Sequence, residues 1–157
     1  LRVRIGKQEQ PNRIETLYQI EANIDDMNPE VYGYLFERLL ELGARDVYVT
    51  PITMKKGRPA HLLGILADRD RSEKIIETIL AETTTLGVRY HAVERRVLQR
   101  TIRQVETEYG NIGVKVGLVG NAQRIAPEYE DCVRLARQHG VPLLTIYQAA
   151  SRAASEE

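Results

Sequence analysis

Between residues 18 and 93, apolar side chains recur first at every second residue and then at every third or fourth, and this sequence of spacings occurs twice. The alternation over 18–24 is typical of a half-buried strand, and Asn28 and Pro29 mark the start of a helix whose apolar face ends at Gly43. The further predicted elements are strands at 47–54, 61–67 and 86–93, and a second helix opened by a capping box at Asp70–Arg71–Ser72–Glu73. This order predicts an α+β fold, a ferredoxin-like antiparallel sheet with two helices on one face.

Beyond residue 96 the patterns indicate a second, smaller unit. Alternating apolar residues on both sides of Gly110–Asn111 predict a β-hairpin. Pro127 and the acidic residues after it predict a helix that ends at His139–Gly140, and the apolar run 141–147 predicts a short strand.

Composition excludes several classes of protein. The chain has 157 residues, with 22 basic and 22 acidic side chains, and therefore lacks the basic excess of a nucleic-acid-binding domain. Its apolar runs are shorter than the roughly 20 residues of a membrane helix. A single cysteine, Cys132, excludes a disulfide scaffold and agrees with a cytoplasmic location. Because the chain opens with LRVRIGK rather than methionine, we expect it to be part of a longer protein.

Common phosphate-binding and catalytic motifs are absent from the sequence, so we searched for polar groups at predicted strand ends. Asp25 and Asp26 follow the first strand, where their carboxylates suit Mg²⁺ or Mn²⁺ or, alternatively, a helix start. Lys55, Lys56 and Arg58 form a cationic glycine turn that suits a phosphate or, alternatively, is simply solvated.

A third group lies between the second helix and the fourth strand. Three adjacent hydroxyls, those of Thr83, Thr84 and Thr85, suit the binding of oxygen atoms or a local turn. His61 adjoins the cationic turn and is therefore the histidine of most interest. Among the arginines of 95–103, which we interpret mainly as a solvated hairpin, Arg95 is the one expected nearest the threonines.

In the predicted fold we expect the end of the first strand and the cationic turn to lie at different positions along the strand direction of the sheet. The carboxylates and cations would then meet only across a subunit interface. We therefore expect a homo-oligomer, either a trimer or a hexamer.

Four segments resemble the C-terminal half of the LarC family, the nickel insertion proteins of the lactate racemase cofactor pathway. They are NIDDMNPE at 23–30, MKKGRP at 54–59, ETTTLGVR at 82–89 and PEYED at 127–131. The resemblance extends from about Leu17 to Tyr147. It implies that 1–16 is a linker or remnant of the N-terminal half, 17–95 the ferredoxin-like domain and 96–157 a hairpin-plus-helix subdomain.

The resemblance implies CTP-dependent insertion of nickel into pyridinium-3,5-bisthiocarboxylic acid mononucleotide. In such proteins CTP is hydrolysed to CMP and pyrophosphate with Mn²⁺ or Mg²⁺, and Ni²⁺ is a substrate ion. The implied metal ligands are Asp25 and Asp26. The candidate catalytic residues are Lys56 and Glu82. The nucleotide would be bound by Lys55, Lys56, Arg58, His61, Thr83, Thr84, Thr85, Arg89 and Arg95.

The expected partners are CTP, the pyridinium mononucleotide and the family's N-terminal half, and neither nucleic acid nor a membrane. The alternative is a non-catalytic, oligomeric module that binds a nucleotide or another anion and regulates or assembles the missing half.

Overall fold

The computed structural model describes residues 12–119 and 122–156. Residues 14–95 form one compact unit, and the described residues from 96 onward belong to a second. No helix in these described ranges is both long and apolar enough to cross a membrane.

The first unit contains four strands and two helices in the predicted order. They are β1 (Asn12–Ile24), α1 (Val31–Glu41), β2 (Asp46–Met54), β3 (Arg58–Ala67), α2 (Arg69–Glu82) and β4 (Arg89–Leu98). The sheet order is β2-β3-β1-β4, and β3 is antiparallel to both β1 and β2. The ferredoxin-like prediction is therefore confirmed.

One face of this sheet packs against the two helices because apolar residues alternate along its central strands. Ile20 of β1 lies opposite Ile65 of β3, and Ala22 lies opposite Leu63. All four side chains are buried in one cluster. The helices contribute the apolar residues that their spacing predicts, namely Leu35 and Leu39 from α1 and Ile75 and Ile79 from α2.

The helix starts differ in detail from the sequence predictions. The Asn28 side chain accepts a hydrogen bond from the Glu30 backbone N–H (3.1 Å), as expected at the start of α1. The predicted capping box is wrong, because the N-cap of α2 is Asp68, two residues before Asp70, and it makes no side-chain cap hydrogen bond. Ser72 instead donates to the carbonyl of Arg69. Similarly, β4 begins at Arg89 rather than at Leu86, after a loop fastened by threonine hydroxyls.

The second unit is a three-stranded antiparallel sheet followed by two helices. Its elements are β5 (Arg100–Thr107), β6 (Gly110–Val119), β7 (Ala122–Pro127), α3 (Tyr129–His139) and α4 (Leu143–Glu156), and the sheet order is β5-β6-β7. The predicted hairpin is present, with its turn at residues 108–109 and Gly110 already in β6 at φ 120°. Strand β7 was not predicted.

The predicted strand at 141–147 is wrong, because α4 covers most of this segment. Its buried residues are Ile146, Ala150 and Ala154, and this repeat of four matches a helix. The apolar run 141–147 is too short to tell a strand from a helix, and the decisive spacing lies in the alanine-rich residues that follow it.

The topology also corrects the expected separation of the polar groups. Because β1 and β3 are antiparallel, the end of β1 lies beside the beginning of β3, with Ile24 opposite His61. The β2–β3 turn and the start of β4 lie at this same edge of the sheet, since Arg58 contacts Asp25 and Arg89 contacts Asn23. The groups therefore meet within one chain, and the subunit-interface argument for a homo-oligomer loses its premise.

Candidate functional site

The end of β1 and the beginning of β3 bring an acidic and a basic residue together. Arg58 Nη1 donates to Asp25 Oδ2 at 3.1 Å, across 33 positions of sequence. The Asp25 side chain is 20% exposed and that of Arg58 is 54% exposed. The carboxylate is thus shielded, whereas much of the guanidinium faces solvent.

The threonine loop reaches the same place from α2. The Thr84 hydroxyl donates to Asp26 Oδ1 at 2.5 Å, and the Thr85 hydroxyl lies 3.5 Å from the Asn23 carbonyl oxygen. Thr83 fastens the loop to α2 by donating to the Ile79 carbonyl. Two of the three threonine hydroxyls therefore connect this loop to the end of β1.

Arg89, the first residue of β4, is held by two polar residues of β1. Its Nε donates to Glu21 Oε2 at 2.8 Å, and its Nη1 donates to Asn23 Oδ1 at 3.1 Å. Sequence reasoning did not single out Glu21 and Asn23 as site residues. The signal that could have identified them is their position on the polar side of the alternation in β1, which directs them to the face of the sheet opposite the helices.

The two lysines lie in the short 3₁₀ turn Lys55–Gly57 that joins β2 to β3. Lys56 has a left-handed backbone at φ 63°, followed by Gly57 at φ 67°. This conformation is strained for any residue with a Cβ. Both lysines are exposed, and within the described ranges neither has an ion-pair partner, so their charges are available to an anion.

His61 lies on the helix-facing side of β3, against the first turn of α1. Its ring meets that of Tyr32 edge-on, with centroids 5.2 Å apart. The Tyr32 hydroxyl is buried without a hydrogen-bond partner among the described residues, and burial raises the pKa of this phenol. Sequence reasoning missed Tyr32, because its spacing in α1 marks it only as a residue beside the core.

These contacts define the strand-end cluster, which consists of Asp25, Asp26, Lys55, Lys56, Arg58, Thr84, Thr85 and Arg89. The family model for nickel insertion proteins matches residues 1–147, which is most of the chain. The chain belongs to the nickel insertion protein family.

Relatives and solved structures agree with this assignment. Pyridinium-3,5-bisthiocarboxylic acid mononucleotide nickel insertion proteins from Acetivibrio thermocellus and Clostridium kluyveri are each 44% identical to the chain, over 154 and 153 residues. These matches cover 98% and 97% of the chain but only 38% of each relative. The chain therefore spans well under half the length of the curated nickel insertion proteins that it matches.

A solved structure of LarC2, described as the C-terminal domain of a cyclometallase involved in the synthesis of the NPN cofactor of lactate racemase, has a TM-score of 0.83 and 43% identity. The match covers 91% of this chain and 99% of that domain, so the resemblance to the C-terminal half of the family is confirmed. A Methanopyrus kandleri protein shares the fold at a TM-score of 0.61 and 22% identity, over 90% of each chain.

Four of the residues proposed for the family's site lie outside the strand-end cluster or at its border: His61, Glu82, Thr83 and Arg95. Arg95 pairs with Glu15 (2.9 Å) and lies six residues beyond Arg89, about 20 Å farther along β4. The structure therefore does not bring Arg95 to the other candidates. Glu82 ends α2 and accepts a hydrogen bond from the Tyr34 hydroxyl at 3.4 Å, on an exposed surface beside the threonine loop.

The donor set fits a divalent ion that arrives with a nucleotide. Asp25 and Asp26 each use one carboxylate oxygen in the contacts described above, and the other oxygen of each has no partner within the described residues. Those residues contain no group of three acidic, histidine or cysteine side chains that could hold a metal by themselves. Mg²⁺ and Mn²⁺ typically combine one or two carboxylates with phosphate oxygens and water.

The family's fourth motif, residues 127–131, has a structural role in the second unit. Asp131 Oδ2 accepts from the Gly113 backbone N–H at 2.9 Å, and Glu128 pairs with Lys115 at 2.8 Å. The backbone N–H of Glu128 donates to the Gly113 carbonyl at 2.7 Å. The hydrogen bond from Gly113, followed by the one from Arg134, lowers the pKa of Asp131. These contacts fasten the start of α3 to β6.

Proposed function

We propose that this chain is the CTP- and divalent-ion-binding part of a nickel insertion protein, which inserts nickel into pyridinium-3,5-bisthiocarboxylic acid mononucleotide in a CTP-dependent reaction. The observation that carries the proposal is the strand-end cluster, in which two adjacent aspartates and three exposed cations from distant segments lie at one edge of the sheet. The names of the relatives supply the nickel insertion activity and the mononucleotide.

The cations of the strand-end cluster match the charge of a triphosphate. Lys55 and Lys56 are compact charges on an exposed turn, and Arg58 offers a planar fork of N–H donors. The Thr84 and Thr85 hydroxyls border the same surface and supply neutral donors. We assign Lys56 and Glu82 to the chemistry of nucleotide cleavage, with Lys56 stabilising charge on the phosphates and Glu82 at the border of the cluster.

The divalent ion would be held at the Asp25–Asp26 pair. When bound, such an ion offsets phosphate charge and polarises the phosphoryl group that is attacked. The residues of the chain orient the nucleotide: the turn and Arg58 hold the phosphates, while Arg89 is itself fixed by Glu21 and Asn23.

Nickel has a different chemical requirement from the nucleotide's ion. It favours imidazole and thiolate ligands over carboxylates alone. In the described ranges the three histidines belong to different elements or loops, and the Cys132 thiol is buried with its pKa raised by desolvation. We therefore propose that nickel reaches the substrate's own sulfur atoms rather than being stored on this unit.

The proposal is tested by isothermal titration calorimetry of the chain with CTP, ATP and GTP, each with and without Mn²⁺. We expect preferential, Mn²⁺-enhanced binding of CTP. Asp26→Asn should lose the Mn²⁺ enhancement and Lys56→Ala should lose CTP affinity, both with unchanged circular dichroism. Equal affinity for the three nucleotides, or no binding, would contradict the proposal. Unchanged CTP affinity in both variants would mean that Asp26 belongs only to a helix start and Lys56 only to a solvated turn, and that neither binds the nucleotide.

A second candidate function is a non-catalytic nucleotide-binding module. The observation that favours it is the 38% of the relatives' length that the chain spans, because the reaction then requires segments outside this chain. Chromatography of the reaction mixture distinguishes the two: CMP and pyrophosphate indicate catalysis, whereas binding of CTP without CMP indicates the module.

A further inference from the structure

The two adjacent aspartates of the strand-end cluster have different partners. Asp25 faces a full positive charge, the Arg58 guanidinium at 3.1 Å. Asp26 faces a neutral donor, the Thr84 hydroxyl. Within the described residues Asp26 has no cationic partner. Two chemically identical neighbours are therefore in different electrostatic environments.

The sheet register accounts for this difference. The last β1–β3 pair is Ile24 with His61, so continuing this register by one residue sets Asp25 opposite Ala60, on the same face of the sheet as Arg58. Asp26 falls on the other side of this alternation and is met by the threonine loop instead. The fold itself thus pairs Arg58 with the first aspartate and not with the second.

Arg58 retains donors for a ligand while it contacts Asp25. A guanidinium has five N–H groups, and the hydrogen bond to Asp25 uses Nη1 only. The arginine side chain is 54% exposed, whereas the aspartate is 20% exposed. The same arrangement recurs at Arg89, which is 55% exposed and is held by Glu21, which is 20% exposed. In both pairs a shielded carboxylate holds an arginine whose side chain is more than half exposed.

A divalent ion on Asp25 would be repelled by the adjacent guanidinium, since both are cationic. An ion on Asp26 has no such neighbour, and the hydrogen bond from Thr84 orients the carboxylate that binds it. We propose that Asp25 is a positioning residue that holds the Arg58 guanidinium towards the triphosphate, whereas Asp26 is the aspartate that carries the ion. This inference rests on the proposed function and assigns separate roles within the aspartate pair.

The test is calorimetric titration of the full chain with CTP, with and without Mn²⁺. Asp25→Asn is expected to weaken CTP binding about tenfold under both conditions, because Arg58 is no longer held, and the gain from Mn²⁺ is expected to persist. Asp26→Asn is expected to lose the gain in affinity that Mn²⁺ gives, because the carboxylate that carries the ion is removed. The electron paramagnetic resonance signal of Mn²⁺ in the presence of CTP reports ion binding independently.

Two further variants separate positioning from a general effect of charge. Asp25→Asn combined with Arg58→Ala should bind no more weakly than Arg58→Ala alone, because Asp25 acts through Arg58. Asp68→Asn is the matched control: it removes the aspartate of the Arg45–Asp68 pair (2.8 Å) at the opposite end of β3 and should leave CTP binding unchanged. If Asp25→Asn does not fold, Arg58→Lys gives the same test, with weaker binding and an unchanged gain from Mn²⁺.

Three results would overturn the inference. Loss of the Mn²⁺ effect in Asp25→Asn would make Asp25 an ion ligand while leaving the proposed function intact. Tighter CTP binding by Asp25→Asn would mean that Asp25 masks Arg58 rather than positioning it. Absence of CTP binding by the unaltered chain, with or without Mn²⁺, would refute the proposed function and the inference with it.

Discussion

Asp25 and Asp131 are both aspartates that accept a hydrogen bond from an arginine, but their other surroundings differ. Asp25 follows the end of β1 and lies beside groups from two distant segments. Several of these groups are exposed and have no ion-pair partner in the described residues. Asp131 divides its two oxygens between the Gly113 N–H and Arg134. Both aspartates belong to family motifs, so motif membership alone does not distinguish a binding group from one that fastens a helix.

The difference shows how binding groups can be recognised in this fold. In the motif at 127–131, Glu128 and Asp131 are engaged by nearby backbone and by two ion pairs, which leaves these carboxylates little capacity for a ligand. The strand-end cluster instead retains two lysines that have no ion-pair partner in the described ranges, and two half-exposed arginines. Polar side chains without protein partners at one edge of a sheet indicate a ligand-binding site, whereas polar groups that are hydrogen-bonded to near neighbours indicate a structural role.

The largest expected effect is a loss of CTP affinity on replacing Lys56 of the strand-end cluster, compared with replacing Lys115 of the second unit. Lys56→Gly should lower CTP affinity about a hundredfold, because it removes a charge that contacts the phosphates. It should not destabilise the fold, because glycine tolerates φ 63° better than lysine does. The matched variant Lys115→Ala should leave CTP affinity unchanged. Calorimetry and thermal unfolding of both variants measure the two effects, and equal losses of affinity would remove the contrast between the regions.

An effect of similar free energy is expected from Gly113→Val, but as a loss of stability confined to the second unit. A Cβ at this position would lie 3.1 Å from Glu128 Cγ and 3.2 Å from Asp131 Oδ2, so the side chains that fasten the start of α3 must shift. We expect a loss of about 2–3 kcal/mol in the free energy of unfolding, measured by urea denaturation. CTP affinity below the unfolding transition should be unchanged. A variant as stable as the original chain would show that α3 is not fastened at this point.

A smaller effect is expected from Asp131→Asn, and it depends on pH. The pKa of Asp131 is below its ordinary value of 3.8, so the folded state favours the carboxylate. Its contribution to stability is therefore fully present above pH 4 and is lost as the pH falls through 3.8 towards the lowered pKa. We expect the variant to be about 1 kcal/mol less stable at pH 7, with the difference shrinking as the pH falls below 3.8 towards the lowered pKa. Urea denaturation across this range provides the measurement, and a difference independent of pH would contradict the assignment.

The smallest expected effect is that of Thr84→Val, which keeps the shape of the side chain and removes the hydroxyl that contacts Asp26. Mn²⁺-dependent CTP affinity should fall about fivefold, because the carboxylate loses one orienting hydrogen bond. The control is Thr78→Val, which removes a hydroxyl bonded to the Lys74 carbonyl on α2 and should not change binding. If the two variants bind CTP alike, Thr84 has no part in the site.

Much of the first unit could be predicted because its strands and helices have clear apolar periods. The second unit was harder, since β7 is short and the helical period of α4 emerges only after Val141–Tyr147. The Asp70–Glu73 pattern gave a wrong prediction for a different reason. A capping box is recognised from residue types alone, whereas α2 begins at Arg69, two residues after β3 ends. Arg95 was associated with the threonines through proximity in sequence, but an extended strand carries it about 20 Å away from Arg89.

The sequence alone determined the ferredoxin-like order, the family and the residue types of the strand-end cluster, because alternation, helix starts and contiguous motifs are local properties of a chain. Only the tertiary structure decided that the Asp25–Asp26 pair, the Lys55–Arg58 turn and the threonine loop share one edge of one sheet. It also decided that Asp25 faces Arg58 while Asp26 faces Thr84. The reason is physical: these contacts join residues 33 and 58 positions apart, and strand direction and register, rather than sequence spacing, bring their atoms together.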